Sequence, residues 1–151
     1  MAALSVGLRP AIYGGGWREF VDPDLIVAEF IANEDLPALY SSVGVLLNDH
    51  WDTMRTWGFV SNRIFDALAC GTPIVSDHLD EIDQLFDGAV STYRTPDDLR
   101  DAVDLALDEP GEARRRADRG RQAVLAAHTF DHRAVELARA LSDHDLGPNP
   151  R

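Results

Sequence analysis

Apolar residues follow two periods along this chain, one typical of strands and one typical of helices. Short apolar runs of strand length occur at residues 9–13, 25–31, 43–48, 74–76 and 89–93. Amphipathic segments of helical period occur at residues 34–42, 61–70, 78–86, 95–107, 112–127 and 129–141. Because strands alternate with helices through residue 93, the pattern predicts an α/β fold, a Rossmann-like parallel sheet with helices on both faces. The run at residues 43–48 is the most apolar, so we expect it to form the central strand.

Chain length and composition are typical of one domain. The 151 residues are 45% hydrophobic, which is enough to form a core. We expect a single domain over residues 1–145 and a disordered tail over residues 146–151. The single cysteine, Cys70, excludes an internal disulfide and is expected to be a packed side chain. Without a signal-peptide pattern or an apolar run of membrane length, we expect a cytoplasmic protein.

The net charge is strongly negative. The chain has 14 basic and 26 acidic residues, which gives a net charge of −12. This charge argues against non-specific binding of nucleic acid and against anionic membrane surfaces. Several arginines between residues 114 and 121 are interpreted as a solvated helix face, because acidic residues flank them. A phosphate ligand is compatible with this charge, since one local positive site is sufficient to bind it.

Residues 58–77 predict a loop, a helix, a tight turn and a strand. Ser61 is the predicted N-cap of the helix. Gly71 suits the left-handed residue that ends a helix, and Pro73 blocks its continuation. The helix starts with Ser61, Asn62 and Arg63, so N–H groups, a hydroxyl and a guanidinium come together, as in an anion site.

Asp66 lies one turn further along this predicted helix. At about 100° per residue it falls on the side opposite Ile64 and Leu68, so it should face a crevice rather than the core. A carboxylate there can accept hydrogen bonds from sugar hydroxyls, and phosphate beside ribose is what a nucleotide offers. The alternative is a surface ion pair between Arg63 and Asp66, which are spaced i, i+3.

The helix and turn at residues 61–76 carry a family resemblance. Residues 61–71 closely follow the pattern S-N-R-x-F-E-A-L-A-C-G, and residues 64–76 are similar to L-x-E-A-M-A followed by G-x-P-V-V-A-S. In these motifs the chain resembles the donor-binding segment of group 1 glycosyltransferases of the GT-B fold, and most closely the spore-maturation-protein type. The resemblance covers roughly residues 11–140 and corresponds to the C-terminal half of a two-domain enzyme.

This resemblance implies the donor-binding domain of a glycosyltransferase, which transfers a sugar from a nucleoside diphosphate sugar to an acceptor. It implies that Asp66 binds ribose hydroxyls and that Ser61, Asn62 and Arg63 hold phosphate. The N-terminal acceptor-binding domain has no counterpart here, so we expect it to be a missing partner and the chain alone to be inactive. Neither a metal nor a cofactor is expected, because no His, Asp or Glu cluster has ligand spacing.

A glycine-rich turn is a further candidate for substrate contacts. Gly14, Gly15 and Gly16 follow the first predicted strand, where a backbone without side chains can approach a ligand closely. The resembled family has a glycine-rich segment at this place. The alternative is a flexible turn without a ligand.

The polar loop at residues 49–58 is the other candidate. It carries His50, Trp51, Arg55 and Trp57, and loops after parallel strands often hold ligands. These side chains are therefore candidates for contacts with a sugar or a base. The alternatives are a solvated loop histidine for His50 and lids over the core for the two tryptophans.

Departures from the family pattern leave a second function open. Family members often have two glutamates spaced E-x7-E; the second falls on Asp66 and the first on Gly58, which has no carboxylate. The basic pair that clamps the diphosphate has no match, and Arg63 or Arg55 would take its place. The alternative is therefore a non-catalytic nucleotide-binding or protein-interaction module that kept the fold. A response-regulator-like domain is disfavoured, because glycines stand where its acidic cluster would lie.

Overall fold

The computed structural model describes residues 2–143, and within them the chain has an α/β architecture. Its five strands are β1 (Ile12–Tyr13), β2 (Ile26–Ala28), β3 (Leu46–Asn48), β4 (Ile74–Asp77) and β5 (Ser91–Tyr93). Its eight α-helices are α1 (Ala2–Ser5), α2 (Leu36–Ser42), α3 (Asp52–Thr56), α4 (Asn62–Ala69), α5 (Asp80–Phe86), α6 (Pro96–Asp108), α7 (Pro110–Ala127) and α8 (Phe130–Asp143). This alternation of strands and helices confirms the predicted fold class.

The strands pair in parallel, in two sheets rather than in one. β1 pairs with β2, and the second sheet has the order β3–β4–β5. In the second sheet Leu46 is in register with Ile74, and Val75 is in register with Ser91. This parallel register brings the carboxyl ends of all three strands to one edge, which is where α/β proteins usually bind ligands.

The prediction that residues 43–48 form the central strand is wrong. β4 lies in the middle of the three-stranded sheet, and all four of its residues are buried. β3 is an outer strand of that sheet, and its Leu46 and Leu47 are only half-buried. A strand is most buried when strands flank it on both sides and helices cover both faces, and apolar content alone does not reveal which strand that is.

Helices cover both faces of the three-stranded sheet, as predicted. Ile74 of β4 belongs to an apolar core that includes Ile64 and Leu68 of α4. The next residue, Val75, belongs to a second core with Leu99 and Val103 of α6. Because successive strand residues point to opposite faces, the two cores lie on opposite sides of β4.

The helix α4 starts and ends as the sequence predicts. The Ser61 hydroxyl accepts a hydrogen bond from the Arg63 backbone N–H, 3.3 Å away, and so caps the helix. Gly71 has a φ of 73°, the left-handed conformation that ends many helices. Ile64 and Leu68 are fully buried. These features fix the position and rotation of the helix that carries the predicted phosphate and ribose contacts.

Some segments differ from the prediction. The predicted loop after β3 contains the helix α3, and the predicted strands 9–13 and 25–31 are shorter. Leu25 at the start of the second segment is buried, but Val27 and Phe30 are 58% and 80% exposed. In the described residues β2 pairs only with β1. The predicted tail, 146–151, lies outside the described residues.

Among the helices of residues 2–143, none has both the length and the apolar character that crossing a membrane requires.

The packing of α7 against α4 gives a stability test at Gly120. A Cβ atom on this buried glycine would lie 2.7 Å from Leu68 Cδ2 and 3.0 Å from the Ala89 Cβ. Overpacking costs about 1–3 kcal/mol, whereas the gain in helix propensity from alanine is only about 1 kcal/mol. Gly120→Ala should therefore lower the free energy of unfolding in urea by up to about 2 kcal/mol.

Gly111, in the first turn of the same helix, provides the matched control. It is exposed, and the atom nearest to its added Cβ would be Arg115 Nη1, 3.8 Å away. Gly111→Ala should leave the free energy of unfolding unchanged or raise it by up to about 1 kcal/mol. An equal response of the two variants would contradict the tight contact between α4 and α7.

Candidate functional site

Polar side chains cluster at the edge where β3 and β4 end. Asn48 ends β3, Ser76 and Asp77 end β4, and all three are buried. The Asn48 side-chain amide donates to Ser76 Oγ (3.0 Å), and the Ser76 hydroxyl donates to Asp77 Oδ1 (3.2 Å). In the part of the chain that the structure describes, no buried side-chain nitrogen or oxygen lacks a hydrogen-bond partner. A fully satisfied polar network of this kind is rigid.

Asp77 is the centre of this network. Its Oδ1 accepts hydrogen bonds from His50 Nδ1 (2.6 Å) and from the His50 backbone N–H (3.1 Å), and its Oδ2 accepts one from Arg55 (3.0 Å). Burial by itself raises the pKa of Asp77, but the donors on His50 and Arg55 outweigh burial and hold this pKa below its ordinary value. Asp77 is therefore ionised at neutral pH and anchors both of these residues.

His50 connects Asp77 to the start of α4. Its ring is fully buried, and Nε2 accepts a hydrogen bond from the Ser61 backbone N–H, 3.0 Å away. Because Nε2 is an acceptor, the ring proton lies on Nδ1, which donates to Asp77. The alternative of a solvated loop histidine is wrong, since both ring nitrogens are engaged inside the protein. This geometry gives His50 a positioning role for the start of α4.

Arg55 holds α3 at the same edge. Its guanidinium forms ion pairs with Asp49, Asp52 and Asp77. Hydrogen bonds to Asp52 and Asp77 raise the pKa of Arg55 above its ordinary value, so its guanidinium stays charged. The charge of this arginine is therefore offset by neighbouring carboxylates.

The start of α4 presents the donors that the sequence predicts for an anion. Asn62 and Arg63 are exposed there. The Arg63 guanidinium donates to the Asn48 side-chain oxygen, 3.3 Å away. The Ser61 hydroxyl oxygen accepts from the Arg63 backbone, which leaves its O–H able to donate. The structure thus brings Ser61, Asn62 and Arg63 together with His50 at the carboxyl edge of the sheet.

Asp66 lines an open groove on the outer face of α4. The groove has a volume of about 600 Å³ and lies between α2, α4 and the junction of α7 with α8. The Asp66 side chain is exposed, although partial desolvation by surrounding groups raises the pKa of its carboxyl. It makes no hydrogen bond or ion pair within the described residues, and Arg63 donates to Asn48 instead. The alternative of an ion pair between Arg63 and Asp66 is therefore wrong.

The glycine-rich turn at residues 14–16 follows β1. Gly14 and Gly16 have φ values of 131° and 84°, so the turn requires glycine at both positions. The Gly14 N–H donates to the Ala28 carbonyl, 2.8 Å away. None of Gly14, Gly15 and Gly16 lines the groove of Asp66.

The two tryptophans next to α3 point into solvent. Trp51 and Trp57 are 79% and 84% exposed. The alternative in which they cover the core is therefore wrong. Neither of them lines the groove.

Sequence reasoning missed Asn48, Ser76 and Asp77 as members of the site. A signal was present, because each of them ends an apolar run of strand length. The carboxyl ends of parallel strands meet at one edge, so polar residues at such positions come together once the strands are in register.

The hydrogen bonds to Asp77 predict a pH-dependent loss of stability. Asp77→Asn should lower the free energy of unfolding at about pH 7 by about 1–3 kcal/mol, because buried donors lose their acceptor. The pKa of Asp77 is lower in the folded chain than in the unfolded chain, where it is about 3.9. The stabilisation is therefore fully present above the unfolded value and is lost as the pH falls through the folded value.

Urea unfolding at about pH 7, 5 and 3 measures this effect. The difference between wild type and Asp77→Asn should be the same at about pH 7 and 5 and smaller at about pH 3. Asp101→Asn removes an exposed carboxylate from α6 and should change stability by less than about 0.5 kcal/mol throughout. A difference for Asp77→Asn that stays constant down to about pH 3 would contradict the role given to the ionised carboxylate.

Comparison with known protein families assigns the chain to a family. Residues 1–139 match the model of a family described as glycosyl transferase-like. A search of curated proteins and a search of solved structures each gave no match. The family match spans the three-stranded sheet, the carboxyl-edge network and the groove of Asp66. The chain belongs to the glycosyl transferase-like family.

Proposed function

We propose that this chain is the donor-binding domain of a GT-B glycosyltransferase and that its ligand is a nucleoside diphosphate sugar. The family match supports glycosyl transfer in general. The observation that carries the finer proposal is the placement of Asn62, Arg63 and an unpaired Asp66 on the exposed side of one short helix. Within little more than one turn, this helix offers hydrogen-bond donors to a phosphate and a hydrogen-bond acceptor to hydroxyl groups.

The start of α4 is assigned to the diphosphate. Arg63 contacts the neutral side chain of Asn48, so its positive charge is available, whereas Arg55 is surrounded by carboxylates. The Ser61 hydroxyl and the Asn62 backbone N–H add neutral donors beside Arg63. This assignment needs no divalent cation, and the described residues contain no group of three or more His, Cys, Asp or Glu that could hold a metal.

The groove beside Asp66 is assigned to the nucleoside. Its volume of about 600 Å³ lies within the range of about 300–1,000 Å³ that is typical of small-ligand sites. The Asp66 carboxylate can accept hydrogen bonds from two ribose hydroxyls, each worth about 1.5–3 kcal/mol. Phe65, which is half-buried, lines the same groove and offers aromatic surface to the base.

The network around Asp77 is assigned to positioning. His50 holds the backbone of Ser61 at the start of α4, and Asn48 holds the guanidinium of Arg63. These two contacts use the Ser61 backbone N–H and Arg63 Nη1, and they leave the Ser61 hydroxyl and Arg63 Nη2 for the diphosphate. Trp57 and the glycine turn at residues 14–16 stay proposed substrate contacts outside the groove.

A non-catalytic nucleotide-binding or interaction module is the second candidate. The observation that favours it is Gly58, at the position where the resembled enzymes often have a carboxylate. A non-catalytic nucleotide-binding module would share the nucleotide site with the enzyme, whereas an interaction module would not, so binding is tested first. Sugar transfer is then expected only when an acceptor-binding domain is supplied.

Asp66→Ala tests the ribose contact. It should weaken the binding of a nucleoside diphosphate at least tenfold, since about 1.4 kcal/mol corresponds to a factor of ten. The free energy of unfolding should change by less than about 0.5 kcal/mol, because Asp66 is exposed and has no partner. Isothermal titration calorimetry with UDP and GDP in the presence of EDTA measures the affinity.

Asp118→Ala is the matched control, because it removes an exposed carboxylate from α7, outside the groove. It should bind as tightly as wild type. Unchanged affinity of Asp66→Ala would show that the ribose assignment is wrong. If the wild-type chain binds neither nucleotide, the interaction module becomes the better candidate.

Arg63→Gln tests the diphosphate contact separately. It should weaken the binding of the nucleoside diphosphate about tenfold, because charge-assisted hydrogen bonds to phosphate are lost. Affinity for the corresponding nucleoside, which has no phosphate, should be unchanged. Arg114→Gln removes an exposed cation from α7 and should affect neither ligand. A parallel loss of both affinities in Arg63→Gln would argue against the phosphate assignment.

A further inference from the structure

His128 lies at the joint between α7 and α8 and contacts the body of the domain. It directly follows the last residue of α7, and its ring is half-buried. The ring packs edge-on against Phe65 of α4 and Phe86 of α5, with centroids 5.6 and 6.0 Å away. On the side of α8, its Nδ1 lies 2.9 Å from Arg133 Nη2. One side chain therefore connects α8 to three other helices.

The hydrogen bond between Arg133 and His128 requires a neutral imidazole. A guanidinium only donates, so Nδ1 is the acceptor and the ring proton lies on Nε2. A protonated imidazole donates at both nitrogens and has no acceptor left. Protonation of His128 would therefore break this bond and place two positive groups within hydrogen-bond distance of each other.

The helix α8 has few other attachments to the rest of the chain. Within residues 130–142 only His132 is half-buried, and every other residue is exposed. Apart from contacts with Thr129, just before the helix, the bond from Arg133 to His128 is the one side-chain hydrogen bond that joins α8 to the other described residues. A helix of 14 residues is marginal in water on its own. A single hydrogen bond can therefore decide whether α8 stays attached.

We propose that protonation of His128 releases α8 and so opens one wall of the groove beside Asp66. Neutral His128 accepts from Arg133 and holds α8 against the domain, whereas protonated His128 does not. His128, Phe130 and Arg133 all line this groove, so the release of α8 removes part of its wall. The release itself is independent of the proposed function, and only its effect on nucleotide binding rests on that function.

The charges on α8 favour the neutral form of His128. Burial is the main cause that lowers the pKa of His128, and the positive charge of Arg133 lowers it further. His132 acts in the same direction, and Glu136, which pairs with Arg133, acts in the opposite direction. The effect of Glu136 is the smaller one, so the pKa of His128 lies below its ordinary value.

The other elements around His128 do not offset this balance. α4 and α5 contact it through the uncharged rings of Phe65 and Phe86. Asp66 of α4 lines the same groove but is not among the described groups that shift the pKa of His128. The carboxyl end of α7 favours a positive charge on His128 whether α8 is attached or released, so it does not change the equilibrium between the two.

The attachment of α8 weakens as the pH falls. In the released state the ring is solvated, and its pKa is close to the ordinary value of about 6.5. The pKa is lower in the attached state. The stabilisation of the attached state is therefore fully present above about pH 6.5 and is lost as the pH falls towards the lower value. In this window the equilibrium constant for attachment decreases by at most about tenfold per pH unit.

Hydrogen exchange followed by mass spectrometry measures the attachment. Labelling at about pH 7.5 and 5.5, with times scaled to equal intrinsic exchange, compares peptides from α8 and α6 in the same molecule. In wild type the protection of α8 should fall at the lower pH, by up to about tenfold, while that of α6 stays the same. Equal protection of α8 at both pH values would overturn the proposal.

Three variants identify the group that is protonated. His128→Asn offers Arg133 a side-chain oxygen that cannot be protonated, and Arg133→Met removes the donor. Both should abolish the pH response of α8. His132→Asn, which removes the other histidine of the joint, should retain it. A response that persists in His128→Asn or disappears in His132→Asn would contradict the assignment to His128.

Nuclear magnetic resonance adds a direct measurement on wild type, because the carbon-bound ring protons of each histidine report its own titration. The midpoint of the change in α8 should coincide with the titration of His128. Coincidence with the titration of His132 instead would overturn the proposal.

Calorimetry with UDP and GDP separates the pH response from the proposed function. Comparing wild type with His128→Asn at the same pH cancels the protonation of the nucleotide itself. Between about pH 7.5 and 5.5 the affinity of wild type should fall more than that of His128→Asn. An equal fall would show that the release of α8 leaves the nucleotide site intact and would overturn the effect on the groove. If α8 is released but wild type binds neither nucleotide, the pH response is confirmed and the proposed function is overturned.

Discussion

The hydrogen bonds that Asp77 accepts at the carboxyl end of β4 hold the candidate site together. Through His50 the carboxylate reaches the backbone of Ser61, and through Arg55 it reaches α3. A buried charge is tolerated only when its donors are all in place, so these elements form one unit. The start of α4 is therefore fixed before any ligand arrives, which lowers the entropic cost of binding.

Local charge, rather than net charge, determines where an anion can bind. The chain carries a net charge of −12, yet charges further apart than about 8 Å are largely screened at physiological ionic strength. Arg55 lies among carboxylates, whereas Arg63 contacts a neutral amide oxygen. Two arginines that look equivalent in the sequence thus differ in their availability to a phosphate.

Local signals made α4 predictable, and long-range contacts made the rest of the site unpredictable. Three signals define α4: the Ser61 cap, the left-handed Gly71 and the apolar face. Each of them acts within one or two helical turns. Their pattern therefore placed Asp66 correctly outside the core. The helix α3 and the network around Asp77 were missed. Their contacts join residues that are adjacent only after the strands are aligned.

The sequence by itself determined the alternation of strands and helices, the bounds of α4 and the family to which the chain belongs. The tertiary structure decided that β4 is central, that His50 is buried and that Asp77 organises the site. His50 and Asp77 are 27 residues apart in the chain, and they meet because β3 and β4 pair in parallel with Asn48 beside Ser76. Strand register depends on the summed packing of both sheet faces, and no short stretch of sequence contains that information.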